Sequence, residues 1–195
     1  RPPISTPKPS SAASDVYKRQ ILQRNMKRLG IDPAGIDILF LSHIHGDHTG
    51  GLLSLLHQLR HPLIFIPQSF PQAFKEEIKE MGGRIAEVKG PAEIAPGVYS
   101  TGEMGIIIRE QAIVIRTKGG GVVITGCAHP GIVRIVERAK EILKGDILLV
   151  MGGFHLLQSS RGEIMGIIQE FKRLGVRYAA PCHCSGDLAR ALFRK

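Results

Sequence analysis

Histidine is the residue type on which chemistry in this chain centres. Of eight histidines, six (His43, His45, His48, His129, His155 and His183) stand directly after a run of apolar or β-branched residues, and only His57 and His61 lie elsewhere. Ring nitrogens at strand ends sit where binding sites are built. The densest segment is Ser42-His43-Ile44-His45-Gly46-Asp47-His48-Thr49-Gly50-Gly51. Residues two apart on an extended chain face the same side, so His43 and His45 can grip one ion. Gly46 lets the backbone turn, and Asp47 and His48 then follow where a second ion can be held close to the first. Thr49 is expected to cap a helix beginning near Gly51. Imidazole with carboxylate suits Zn²⁺, and also Fe or Mn, better than Ca²⁺ or Mg²⁺.

Three further clusters follow apolar runs. In Gly126-Cys127-Ala128-His129-Pro130-Gly131 a thiol and an imidazole two apart can face one metal. In Pro181-Cys182-His183-Cys184 the imidazole of His183 is the candidate ligand. Alternation sends Cys182 and Cys184 to the other face, which reads as packing or support. In Met151-Gly152-Gly153-Phe154-His155 the paired glycines allow close backbone approach to a ligand, so Gly153 and His155 are candidates for substrate contact.

These clusters need strands and helices to position them. Strand-like runs are expected at Ile38 to Leu41, Leu63 to Ile66, Arg84 to Val88, Ile106 to Arg109, Ala112 to Thr117, Val122 to Thr125, Ile147 to Met151 and Val176 to Ala180. Ile132, Ile135, Val136, Ala139, Ile142 and Leu143 fall on one helical face, and Ile164, Ile167, Ile168, Phe171 and Leu174 on another. Only Glu110-Gln111 separates the fourth run from the fifth, which predicts an antiparallel meander there. A mixed α/β layered domain follows.

At 195 residues, with 43% hydrophobic and 22% charged, the chain has the composition of one globular domain. No apolar run approaches the roughly 20 residues of a membrane span. Three cysteines, two of them in one tripeptide, do not form an even disulfide framework, so a cytoplasmic location is expected. Residues 1–20 are rich in Pro, Ser, Ala and Lys without apolar periodicity, and SSAASDVYKRQ resembles translated sequencing-library adapter. They read as a disordered, non-native-looking leader before a single domain over residues 21–195. The leader's four basic residues and one acid carry +3 of the net +9, which weakens the case for a nucleic-acid partner. With no Trp, 5% aromatics and no basic run interleaved with stacking residues, nucleic acid is disfavoured.

His43-Ile44-His45-Gly46-Asp47-His48 resembles the HxHxDH signature of the metallo-β-lactamase superfamily. Together with GCAHPGI at Gly126 to Ile132, GGFHL from Gly152, and PCHCSG at Pro181 to Gly186, it is similar to the subgroup labelled 7,8-dihydropterin-6-methyl-4-(β-D-ribofuranosyl)aminobenzene-5'-phosphate synthase. The resemblance implies an αββα sandwich with a dinuclear metal site at one edge of two sheets. His43, His45, Asp47 and His48 match the first ligand cluster and His183 the last ligand histidine. The usual middle histidine has no counterpart near Val98 to Glu103, and Cys127 stands where a bridging aspartate is usual. His129 is the implied substitute ligand, with Cys127 at or beside the bridge. The subgroup normally begins with strands before the metal motif. The residues between Ile21 and His43 leave no room for them, so the fold is expected to lack its first strands and to expose a sheet edge.

The function expected is metal-assisted hydrolysis with two divalent ions, zinc first and Fe or Mn as alternatives. His43, His45 and His129 would hold one ion, and Asp47, His48 and His183 the other. The ions would acidify a water, Asp47 would orient it, and the substrate would be a small molecule carrying a phosphoester or a related group. A pterin-condensing synthase is the alternative, and a metal-dependent nuclease a third.

Overall fold

The computed structural model describes residues 21–194, so the leader expected over residues 1–20 and any strands before them fall outside it. The chain forms two compact units. The smaller holds the described residues through Phe40 together with Ile44–Ile64 and Pro71–Ala86. The larger holds Leu41–His43, Phe65–Phe70 and the chain from Glu87 onward. No helix among the described residues is long and apolar enough to cross a membrane.

Residues 21–28 form helix α1, and a single 3₁₀ turn at Pro33–Gly35 leads into strand β1 (Ile38–Phe40). Helices α2 (Gly46–Thr49) and α3 (Leu52–Leu56) follow. Strand β2 (Leu63–Pro67), helix α4 (Gln72–Glu80) and strand β3 (Arg84–Val88) come next, and the three strands pair in the order β1-β2-β3. Met26, Leu52, Leu55, Leu56, Ile64 and Ile78 are the buried apolar residues of the smaller unit.

The larger unit is built on a six-stranded sheet in the order β4-β5-β6-β7-β8-β9: β4 (Ala92–Ala95), β5 (Val98–Ser100), β6 (Ile113–Thr117), β7 (Gly120–Thr125), β8 (Ile147–Gly153) and β9 (Tyr178–Cys182). The first four strands are an antiparallel meander, whereas β7, β8 and β9 run parallel. Helices α5 (Ile132–Leu143) and α6 (Arg161–Arg173) make the two parallel crossovers, and α7 (Gly186–Phe193) closes the chain. Helix α5 buries Ile132, Ile135, Val136, Ala139 and Leu143, the stripe its 3.6-residue period lays on one face. Helix α6 opens on a capping box in which Ser160 Oγ accepts from Glu163 N and Glu163 Oε2 accepts from Ser160 N. Phe154, Phe171 and Phe193 pack with ring centroids 5.5 to 5.8 Å apart in the core beneath these helices.

Several sequence expectations need correction. Ile106 to Arg109 is not a strand: it is a bend whose Ile106 and Ile107 are 86% and 96% exposed, closed by an isolated bridge between Met104 and Glu110. An apolar run alone does not make a strand when no neighbour takes its backbone bonds. The expected antiparallel pairing of the next two runs is present as β6 and β7, and the strands that join them in the meander are β4 and β5, of four and three residues, too short for periodicity to register. The last strand lies at Tyr178–Cys182, two residues beyond the expected run. Thr49 does not cap a helix; it ends α2, and its hydroxyl turns back to the His45 carbonyl at 3.2 Å.

Candidate metal centre

Parallel strands end at the same edge of a sheet, and in α/β sheets ligands gather at that carboxyl edge. In the larger unit β7 ends at Thr125, β8 at Gly153 and β9 at Cys182, so Cys127 and His129, His155, and His183 with Cys184 all follow strand ends on one edge. The ligand atoms of Cys127, His183 and Cys184 lie within 4.8 Å of one another. Alternation fails for Cys184 because the strand ends before it. His183 takes φ 47° and begins the 3₁₀ turn His183–Ser185, which brings the Cys184 thiol to 3.6 Å from the Cys127 carbonyl. Cys182 is exposed and belongs to no such grouping among the described residues.

Gly153 makes this packing possible. A Cβ there would run into the Gly126 carbonyl and lie 2.8 Å from Cys184 Sγ and 3.0 Å from the Cys127 Cα. Gly126 is equally constrained, since a Cβ would run into Ser42 Oγ and sit 3.1 Å from Glu110 Oε1.

A row of imidazoles adjoins the thiols. The His43 and His129 ring centroids are 4.6 Å apart and nearly edge to face, and those of His129 and His155 are also 4.6 Å apart. His43 is fully buried, with Nδ1 3.0 Å from Ser42 Oγ, whereas His155 is exposed and held at φ 55°. A cavity of about 370 Å³ opens beside His155 and Cys184, lined also by Leu157, Gln158, Ser159 and Glu163.

Sequence reasoning missed Glu110, read as half of a two-residue turn. It is 1% exposed. Its Oε1 accepts from the backbone N–H groups of Cys127 (2.8 Å) and Ala128 (2.9 Å). Its Oε2 accepts from His129 N at 2.9 Å and lies 2.7 Å from His129 Nδ1 and 3.9 Å from His43 Nδ1. Burial pushes this carboxyl's pKa up, and the three amides with the His129 ring outweigh it, leaving it below the ordinary value. The next residue, Gln111, is also buried: its Nε2 donates to the carbonyls of Leu41 and Phe65, its N–H to that of Ser42, and its Oε1 accepts from Ser100 Oγ. No local pattern announces either residue, because the partners of their side chains lie between 11 and 70 positions away.

In the smaller unit the remaining motif residues occupy a short turn. His45 is the N-cap of α2, Asp47 sits exposed in its first turn, and His48 Nε2 is 3.4 Å from Asp47 Oδ2.

The donor set of the larger unit, two thiols and an imidazole in mutual reach and a further imidazole backed by a carboxylate, fits a borderline transition metal such as zinc or iron and does not suit Ca²⁺ or Mg²⁺. Histidine and cysteine ligand atoms gathered at strand ends of one sheet edge are what a protein metal site requires. The family model of the metallo-beta-lactamase superfamily matches residues 11–161, well over half of the chain, and the chain belongs to that superfamily. It is 29% identical to the 7,8-dihydropterin-6-methyl-4-(beta-D-ribofuranosyl)-aminobenzene-5'-phosphate synthase of Methanocaldococcus jannaschii, over 87% of this chain and 73% of that protein. Its structure is similar to the crystal structure of Tm1679, a metal-dependent hydrolase of the beta-lactamase superfamily, with TM-score 0.80, 30% identity, and coverage of 91% of this chain and 79% of that one. It is also 33% identical to the ribonuclease Z of Halorubrum lacusprofundi, over 56% of this chain and 37% of that enzyme. The metallo-β-lactamase fold implied by the sequence is therefore the fold of this chain.

Proposed function

We propose that residues 21–195 are one metal-dependent hydrolase domain, working in the cytoplasm on a phosphoester or related small molecule. The observation that carries this reading is the joint placement of Cys127, His183, Cys184 and the Glu110-backed His129 at one sheet edge, beside a cavity of small-molecule size. His43, His45 and His129 would hold one ion, and Asp47, His48 and His183 a second, with Cys127 as a further donor beside them. Support for that assignment comes from the HxHxDH motif and superfamily membership. Zinc is the first choice, with Fe or Mn as alternatives. Bound ions supply Lewis acidity toward a water and toward the oxygen of the scissile group. The chain's own part is to place groups around that chemistry: Asp47 orients the attacking water, His155 contacts the substrate, and Gly153 lets the backbone come close to it.

The pterin-condensing reading is the second, favoured by similarity to the Methanocaldococcus synthase over most of both chains. Metal analysis of the purified protein, followed by a panel of phosphoesters and a pterin-plus-arylamine condensation assay, separates the two. Replacing His43 and His45 together with Ala is expected to remove bound metal and phosphoester turnover in step. Turnover that survives metal loss ends the hydrolase reading. A nuclease is disfavoured by composition despite the ribonuclease Z similarity, and a salt series with DNA and RNA checks it.

A further inference from the structure

We propose that Glu110 is a positioning residue of the metal centre: it fixes His129 as the Nδ1–H tautomer, leaving Nε2 to bind the ion, and locks Cys127 and His129 into one preformed turn. This rests on the reading above in which His129 is a ligand.

An ionised carboxylate accepts at about four lone-pair sites and donates none. Glu110 fills four, with the amides of Cys127, Ala128 and His129 and the His129 ring. Two consequences follow from that saturation. A carboxylate whose acceptor sites are all engaged has no spare lone pair for an ion, so Glu110 acts through His129. The 2.7 Å contact to Nδ1 is a hydrogen bond to the carboxylate only if Nδ1 carries the proton, which makes Nε2 the nitrogen with the ligand lone pair in the neutral ring.

Rigid surroundings hold the carboxylate ready. The backbone of Glu110 exchanges two 2.9 Å hydrogen bonds with Met104, and Gln111 is tied to Leu41, Ser42, Phe65 and Ser100. On the opposite side Ala128 and Gly131 adopt φ 62° and 97°, and the turn points three successive N–H groups at one anion. Gly126 keeps the approach open, because a side chain there would strike Ser42 and crowd Oε1. The construction is costlier than a helix cap would need, since a buried charge is tolerated only when fully hydrogen-bonded. Aiming a ligand explains that expense better than closing a turn does.

The test has two parts. In the metal-free full chain, long-range ¹H–¹⁵N correlation of His129, assigned by difference against His129→Ala, is expected to show the Nδ1–H tautomer; an Nε2–H tautomer overturns the proposal. Zn²⁺ affinity is then measured by chelator competition for wild type, Glu110→Gln, Glu110→Asp and His129→Ala. The isosteric Gln presents a neutral amide to Nδ1 and is expected to weaken Zn²⁺ binding about 10- to 100-fold and to alter the visible spectrum of the Co²⁺ form, with Asp recovering part of the loss. Wild-type affinity in Glu110→Gln, when His129→Ala is weakened, overturns the positioning role and leaves the metal reading intact. Wild-type affinity in His129→Ala removes His129 from the ligand set and so overturns the reading on which the role depends. If Glu110→Gln does not fold, the tautomer measured in the wild-type chain decides.

Discussion

Two histidine-bearing turns in this chain differ in the supports they draw on. The turn through His45, Asp47 and His48 in the smaller unit includes supports from its own neighbours: the four-residue helix α2, the Thr49 hydroxyl on the His45 carbonyl, and the His48 to Asp47 contact. The turn through Cys127 and His129 in the larger unit is secured by a residue 17 to 19 positions away, Glu110, and by the empty space of Gly126 and Gly153. In the first turn the carboxylate of Asp47 is exposed. Distant support buries a carboxylate and spends it on geometry. The first turn is therefore expected to tolerate substitutions that abolish activity, and the second to lose fold and metal together.

The largest effect separates the two directly. Gly126→Ala drives a methyl into Ser42 and Glu110, and is expected to cost about 3 kcal/mol, the range of overpacking in a closed site. Urea unfolding checks it, and a variant as stable as wild type would show that the second turn is no tighter than the first. Next, Asp47→Asn is expected to lower turnover about 100-fold or more while moving stability by under about 0.5 kcal/mol, because the side chain is exposed. A matching loss of melting temperature would mean that Asp47 holds the fold as well.

The same contrast explains what the sequence could tell. The first turn is legible because its donors lie within six residues, so spacing alone reports them. The two amphipathic helices were legible for a similar reason: Ile132, Ile135, Val136, Ala139 and Leu143 repeat at the helical period, and all are buried. Glu110 and Gln111 were not, because a polar pair between apolar runs looks like a turn until tertiary contacts bury both. Alternation does not report the direction of Cys184, because β9 ends at Cys182 and the left-handed His183 resets the chain. Strands β4 and β5 were missed because three or four residues give no period to detect.

A smaller effect tests local support away from the site. Ser160→Ala removes the hydroxyl that accepts from Glu163 N in the capping box of α6 and is expected to cost about 1 kcal/mol. Hydrogen bonds from the Ser160 amide and side chain hold the Glu163 carboxyl below its ordinary value of 4.5. A carboxylate with a depressed folded pKa stabilises above its unfolded value, and the contribution fades as pH falls through the folded one. The difference between Ser160→Ala and wild type should therefore shrink on acidification below about pH 4.5. A difference that holds constant in acid would detach Glu163 from the cap.

The smallest effect concerns the loop whose base is Glu110. Its tip carries Ile106 and Ile107, almost wholly exposed, while its base is buried and fully hydrogen-bonded. Apolar side chains almost wholly exposed contribute little through burial, so Ile106→Ser with Ile107→Ser is expected to shift stability by less than about 0.5 kcal/mol and to leave Zn²⁺ affinity at the wild-type value. The Met104 to Glu110 bridge separates the two ends: it fixes the backbone of the base whatever the tip carries. Urea midpoints and chelator competition on the double variant measure both quantities. A loss of more than about 1 kcal/mol, or a fall in affinity comparable to that of Glu110→Gln, would mean that the tip helps to hold the carboxylate, and support for the second turn would then extend past Glu110 to the whole loop.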